Sequence, residues 1–345
     1  MAHLPFTRPT DFLREREFGH KIEASFDFIR AHFRPLGKCL MYIVLPLLLL
    51  QGIAGGLLQA RMGGVFNTWK TMISRGGAGN QAESLQRLSN MINGPEYWVT
   101  ILGSLVSFTL LILTVYGYLV LRLEKEDPLE PVTVREVWAV VKRRFAGTIL
   151  SFFGLTIIVI LGTLAVGIPM ALATAFLRGN PFMLVVIVFT IYALMGYAMV
   201  ALSLFFIVQL RERKGFFATI GRCFSLVWGK WWSTFGLIFI MSLLVGVLAL
   251  VVLAITSLIS SPFTMTPEQA QSVLGRVMSV VAVSLNSVST MALYPLLFLA
   301  LAFQYFNLVE RKEGQGLHAL VDSIGAQPET ALASRSYQPD DEGEY

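Results

Sequence analysis

Six stretches of this chain, at about 39–60, 97–121, 147–176, 182–209, 232–260 and 277–306, contain no Asp, Glu, Lys or Arg. Each is at least as long as the roughly 20 apolar residues that carry a helix across a bilayer core. In hydrocarbon every backbone amide must be satisfied within the structure, so a span is either a helix or part of a closed barrel. Unbroken apolar runs of this length suit helices and not the alternating strands of a barrel. The expected fold is therefore all-α, a polytopic membrane bundle of six helices. Composition agrees, because 14% of the 345 residues are charged, well below the roughly 25% of a soluble domain.

The basic residues predict an orientation. Placing the N-terminus inside puts 21 of the 27 Lys and Arg residues on the inner side and leaves 6 for the outer loops. The positive-inside rule then places both termini in the cytoplasm. The first forty residues carry charges and no short apolar core with a small-residue cleavage site, so the first span is expected to stay as an uncleaved anchor. The net charge of +5 is accounted for by this topology, and nucleic acid is not an expected partner. Cys39 and Cys223 both fall on the side expected to be reducing, which argues against a disulfide.

Just before the first span stands the run FDFIRAHFRP. Phe18, Ile22, Phe26, Ile29 and Phe33 recur at helical spacing, with Glu17, Lys21, Asp27, Arg30 and Arg34 on the other side. Such a segment is expected to lie in the membrane interface. The device returns before span three, as Val134, Val137, Trp138, Val141 and Phe145, with Thr133 and Glu136 at capping-box spacing. Before span five it returns as Phe217, Ile220, Phe224, Val227 and Trp231. Phe26, Trp138 and Phe224 align, as do Phe33, Phe145 and Trp231. The exits of the even-numbered spans, LRLEKE, QLRERK and NLVERK, match as well.

These correspondences predict three units of interfacial elbow helix plus transmembrane hairpin, at about 17–123, 133–211 and 216–309. Residues 1–16 then form a cytoplasmic lead, 17–312 the membrane domain, and 313–345 a cytoplasmic, largely disordered tail whose start resembles a truncated fourth elbow. A short helix at 82–92 and a tight turn at LRGNP are expected outside. TPEQ near 266 is expected to cap a last helix that begins beyond the membrane.

No chemistry is written in the motifs. His3, His20, His32 and His318 are scattered outside the spans and read as interfacial surface residues, with no HExxH pair, Walker loop or GxSxG elbow. No catalytic residue, cofactor or metal site is expected. Polar uncharged residues do lie within spans, and Gln51, Asn286, Ser287 and Gln304 are candidates either to line a polar path or to pack helices by hydrogen bonds. Gly52 and Gly56 form one GxxxG pair, a mark of close helix approach. Pro46, Pro169 and Pro295 are expected to kink their helices.

The F-x-x-I-x-x-x-F-R-P-L lead into a span, repeated across six spans, resembles a group of bacterial membrane proteins similar to the membrane domain of some glycerophosphodiester phosphodiesterases. That resemblance implies a six-span inner-membrane bundle over about 17–312. It carries over no catalytic residue, because the soluble phosphodiesterase domain has no counterpart among these residues. The functional expectation is a non-enzymatic scaffold or assembly partner of other envelope or cytoplasmic proteins. The alternative is a transporter, flippase or channel for a lipid or hydrophobic solute. The lipid bilayer is a partner in either case.

Overall fold

A computed structural model describes residues 6, 9–74, 86, 89–90, 92–125, 130–176, 181–263, 266, 269 and 272–314. The expected helix at 82–92, the turn between spans three and four, and the segment from 315 onward lie wholly or largely outside these residues. Among the described residues the fold is all-helical, a polytopic membrane bundle. In chain order the helices are α1 (Pro9–Phe12), α2 (Phe18–Ile43), α3 (Leu45–Ser74), α4 (Pro95–Glu124), α5 (Val134–Phe176), α6 (Pro181–Leu202), α7 (Phe205–Glu212), α8 (Phe216–Val227), α9 (Trp231–Ser260) and α10 (Val273–Glu313).

Five segments are long and apolar enough to cross a membrane as they stand. They are Pro95–Glu124, Val134–Leu172, Val185–Glu212, Trp231–Phe263 and Val273–Glu313. A sixth arises if α2 and the first half of α3, bent by 53° at Val44, count as one broken span. The part of that pair free of charges, and so able to sit in hydrocarbon, is 39–60. Span four is also interrupted, at Ser203 and Leu204 between α6 and α7.

The three expected elbows differ in the structure. The first is broken at His32, whose φ of −113° and ψ of 18° lie outside the helical range, three residues before Pro35. A proline clashes with the carbonyl four residues back and disfavours helix just before itself, so FRP supplies the break. The third is a separate helix, α8, divided from α9 by Gly229 in the left-handed region at φ +79°. The second departs from expectation. The capping box forms, with the Thr133 amide donating to Glu136 Oε2 at 2.7 Å and the Glu136 amide to Thr133 Oγ1 at 3.3 Å. Beyond it α5 runs for 43 residues as one helix, about 64 Å at 1.5 Å per residue. Arg135, Glu136, Ala139, Lys142, Arg143, Arg144 and Ala146 are good helix formers. No proline stands where the break was expected, and Gly147, at the position aligned with Pro35, continues the helix.

The capping box of the last span also forms, with Gln269 N donating to Thr266 Oγ1 at 3.2 Å. It does not begin the long helix. That helix starts at Val273, where the Ser272 hydroxyl accepts from Gly275 N at 3.0 Å. Gly275 is needed there, because a Cβ would come within 2.0 Å of the Gln269 carbonyl oxygen.

The core lies at one end of the bundle. Leu110–Leu123 of α4 and Pro295–Val309 of α10 are almost wholly buried, together with Phe205, Ile207 and Val208 of α7 and Cys223, Leu226 and Val227 of α8. At the other end Leu161, Leu172, Leu250, Leu258 and Leu274 turn outward. Lipid tails are as apolar as leucine, so a membrane exerts no force that draws such side chains inward. What draws helices together is close packing. Gly52 and Gly56 let α3 lie against α10, where a Cβ on either would stand 2.7 Å from Ser284 Cα or 2.6 Å from Val280 Cα.

Candidate functional site

The packed end holds a knot of polar side chains where the N-terminal helices meet α9 and α10. Lys21 is 4% exposed, although the sequence placed it on the water side of its helix. Its Nζ donates to Gln304 Oε1 at 2.8 Å and reaches Ser233 Oγ at 3.4 Å, and Gln304 Nε2 donates to Thr234 Oγ1 at 2.9 Å. Three elements are thereby joined through one glutamine. One turn further along α10, Asn307 Nδ2 donates to the Arg16 carbonyl oxygen at 2.9 Å. The buried Arg16 guanidinium donates to the Phe12 carbonyl oxygen at 2.9 Å and lies 5.1 Å from the centre of the Phe303 ring.

The face of α2 that packs inward runs through Lys21, Ala24, Ser25, Phe28, His32 and Leu36. It is rotated from the apolar stripe read off the sequence. Phe33, on that stripe, is 69% exposed, while Phe28 is fully buried. The reason is physical. At a membrane surface an apolar stripe is content against lipid, and the polar residues are the ones that must find partners. His32 follows the same logic and is a correction to the sequence reading: it is buried, stacked on Phe28 at 4.6 Å and beside Tyr118 at 5.8 Å.

Electrostatics in the knot are set by burial. Lys21 lies 18 residues before the charge-free stretch of span one, and its ammonium is held down to about 8. Burial is the main cause, followed by repulsion from Arg311 and Lys230. Burial lowers Arg16 as well, to about 10, with Arg14 adding repulsion and Asp11 opposing it. A lysine so depressed could act as a nucleophile or base, but this one is closed in by Gln304 and Ser233. It does not line the neighbouring cavity of about 270 Å³, which is bounded by Arg14, Arg16, His20, Glu23 and Asp27 among others. The knot therefore fastens the N-terminal helices to α9 and α10.

A second cluster joins the three exits that the sequence aligned. Glu212 accepts from Arg222 at 3.0 and 3.1 Å, pairs with Lys214 at 2.6 Å and accepts from the Tyr305 hydroxyl at 3.1 Å. Arg222 also pairs with Glu313, and Glu124 pairs with Arg211 and Arg213 at 3.8 and 3.4 Å. Burial would lower Arg222, but Glu212 and Glu313 outweigh it and raise the guanidinium above its usual value. Repetition of the charged exits was visible in the sequence; their pairing, through Glu124 with Arg211 and Arg213 and through Arg222 with Glu212 and Glu313, was not.

The remaining sequence candidates are dispersed. Phe26 is half-buried with Phe18 and Ile22 against Leu237 and Met241, and Trp138 is partly exposed under the Lys142 ammonium. Phe145 and Phe224 are partly buried at the edge of the core. Trp231 stacks on Tyr197 and Phe235 and donates Nε1 to the Tyr197 carbonyl oxygen at 3.3 Å. Gln51 donates to Ser104 Oγ at 2.7 Å, between α3 and α4. Asn286 lines an apolar groove with Ser242 and Thr290, and Ser287 is half-buried beside it in sequence. Gln304 lies about 27 Å along α10 from Asn286, so these four do not converge on one path. Cys39 and Cys223 are buried, unbonded thiols.

Fold and site together define a multi-pass α-helical membrane protein with a packed, polar-locked end. Comparison of the chain with protein-family models, with curated proteins and with solved structures finds no match in any of the three.

Proposed function

We propose that this protein is a non-enzymatic scaffold or assembly partner for other envelope proteins, set in a bacterial inner membrane with both termini in the cytoplasm. The observation that carries the reading is the exit cluster. Glu124, Glu212, Arg222 and Glu313 tie the ends of spans two, four and six into one charged face. Several of the spans at the same time leave apolar walls uncovered. A rigid polar face with free lateral walls suits a body on which other proteins assemble. Isolation at native expression in mild detergent should recover a stable envelope or cytoplasmic partner in fixed ratio, and repeated isolation of the chain alone would sink the proposal. Reporter fusions test the orientation: those after Lys125, Lys214 and Lys312 should read as cytoplasmic, and those at Gly77, Gly179 and Thr266 as external.

One observation favours a second reading, a carrier for a lipid or hydrophobic solute. The groove of about 450 Å³ between α9 and α10 sets Ser242, Asn286 and Thr290 among apolar residues. Reconstituted vesicles separate the two, since a scaffold gives no flux of labelled lipid above empty vesicles. The resemblance to phosphodiesterase membrane domains fits either reading.

A further inference from the structure

The cleft between α4, α5 and α7 has chemistry that neither cluster above uses. It has a volume of about 120 Å³ and is lined by Arg143, Arg144, Gly147, Thr148 and Gln209 over a floor that includes Ile112 and Phe206. Its depth in the membrane follows from two helices at once. Arg143 and Arg144 stand immediately before the charge-free stretch 147–176, and Gln209 closes the stretch 182–209. The cleft therefore lies at the boundary between headgroups and acyl chains.

Among the described residues, Glu124 pairs with Arg211 and Arg213, and Glu212 with Arg222 and Lys214. Lys142, the third cation of the run, turns its ammonium to the Trp138 ring 5.6 Å away. Among the described residues Arg143 and Arg144 have no ion-pair partner, and no carboxylate lines the cleft. The polar wall is already ordered, because Gln209 Nε2 donates to Ser151 Oγ at 2.8 Å and Thr148 Oγ1 to the Arg144 carbonyl oxygen at 3.0 Å. Two adjacent guanidinium groups over an apolar floor suit a phosphate diester, which accepts several N–H bonds at once.

The size of the cleft excludes a whole lipid, and the sequence shows where the rest would lie. Leu150, Phe153, Ile157, Leu161, Leu164 and Ile168 follow at helical spacing down α5 and are all exposed. Arg143 is seven residues before Leu150 and so lies on the same face. We infer that this cleft is a binding site for the headgroup phosphate of an anionic phospholipid, whose acyl chains run along the exposed face of α5. Basic pockets between helices at this depth are a general means of holding such headgroups. A bound anionic lipid would add to the contacts that already hold α5 against α4 and α7.

The test uses the full chain in maltoside micelles, titrated with phosphatidylglycerol, phosphatidylcholine or inorganic phosphate, with Tm and native-mass-spectrometry adducts as readouts. Phosphatidylglycerol should raise Tm and form a discrete adduct. Binding should weaken at least tenfold in Arg143→Gln/Arg144→Gln and be kept in Lys142→Gln. Gly147→Leu is a second variant, since a Cβ at Gly147 meets nothing within 4 Å. It should block the cleft with both arginines present. Wild-type binding by both the double variant and Gly147→Leu overturns the inference, as does an equal loss in Lys142→Gln. An equal effect from phosphatidylcholine would show that charge is not read, and saturation by inorganic phosphate would make the occupant a free anion. Either result also overturns it.

Discussion

Lys21 and Gln304 are 283 residues apart in the chain, yet the Lys21 ammonium donates to the Gln304 side-chain oxygen at 2.8 Å within the core. Gln304 passes the connection on to Thr234, so one side chain holds three helices. Gln304→Leu strands the Lys21 donor, at a cost on the order of 1–3 kcal/mol. Adding Lys21→Met removes the stranded group and should recover part of the loss. A double-mutant cycle on thermal stability in detergent measures this coupling, and additive effects would mean that the contact contributes nothing.

The same lysine gives the fold a pH dependence. Its value is about 8 in the folded protein and 10.5 in a free side chain. The folded state thus disfavours the charged form, and the unfolded chain binds more protons between those values. Stability should rise with pH through that window. Below pH 8 the cost of the buried charge is fully present. Tm should therefore increase between pH 7.5 and 9.5, and the slope should flatten in Lys21→Met. A slope unchanged by that substitution would assign the effect to another group.

Gly56 offers a test of packing without polar groups. Its Cβ would stand 2.6 Å from Val280 Cα, a backbone atom that cannot move aside alone. Gly56→Leu should force α3 from α10 and lower the yield of folded protein sharply. Gly162→Ala and Gly246→Ala are the contrast, since a Cβ there meets nothing within 4 Å. They should be neutral, or gain up to about 1 kcal/mol from helix propensity.

Spans, caps and glycine contacts were legible in the sequence because each depends on a local pattern. Charge-free length marks a span, Thr133 with Glu136 marks a helix start, and Gly52 with Gly56 marks a close approach. The inward face of α2 was not legible. Periodicity finds the apolar stripe, and in water that stripe would be the buried one. Here Phe33 is free to face lipid, while Lys21 and His32 gain from partners inside the protein. A break before span three was expected for a related reason, and none forms. Likeness of Trp138 to Phe26 and Phe224 reports a shared face, and only residues such as Pro35 and Gly229 report a break.

The exit cluster should be graded by burial. Glu212 has a side chain 14% exposed and accepts from three partners, whereas Glu124 is 40% exposed. Exposed ion pairs contribute about 0–1 kcal/mol, and removing one acceptor of buried charged donors costs about 1–3 kcal/mol. Glu212→Gln should therefore lower Tm clearly and Glu124→Gln barely. The Glu212→Gln loss should also persist in high salt, because enclosed pairs are screened less. Equal effects would mean that the exits are held by their helices alone.

Phe28 and Phe33 share a helix and a side chain, and they differ in what they touch. Phe28 lies among Phe6, Phe12, Tyr118 and Phe303, with ring centres 5.8–6.3 Å away. Truncating a buried phenylalanine costs about 3–5 kcal/mol through lost transfer energy and the cavity left behind. Phe33→Ala removes a ring that faces outward, so in detergent it should change Tm little. Phe33→Asp adds a different cost, that of placing a carboxylate at the apolar boundary, and this should appear as weaker membrane insertion in cells while the purified protein remains folded. Arg30→Gln with Arg34→Gln should be milder in both assays. If Phe28→Ala and Phe33→Ala were equally harmful in detergent, the inward face of α2 assigned here would be wrong, and the apolar stripe itself would be the packed one.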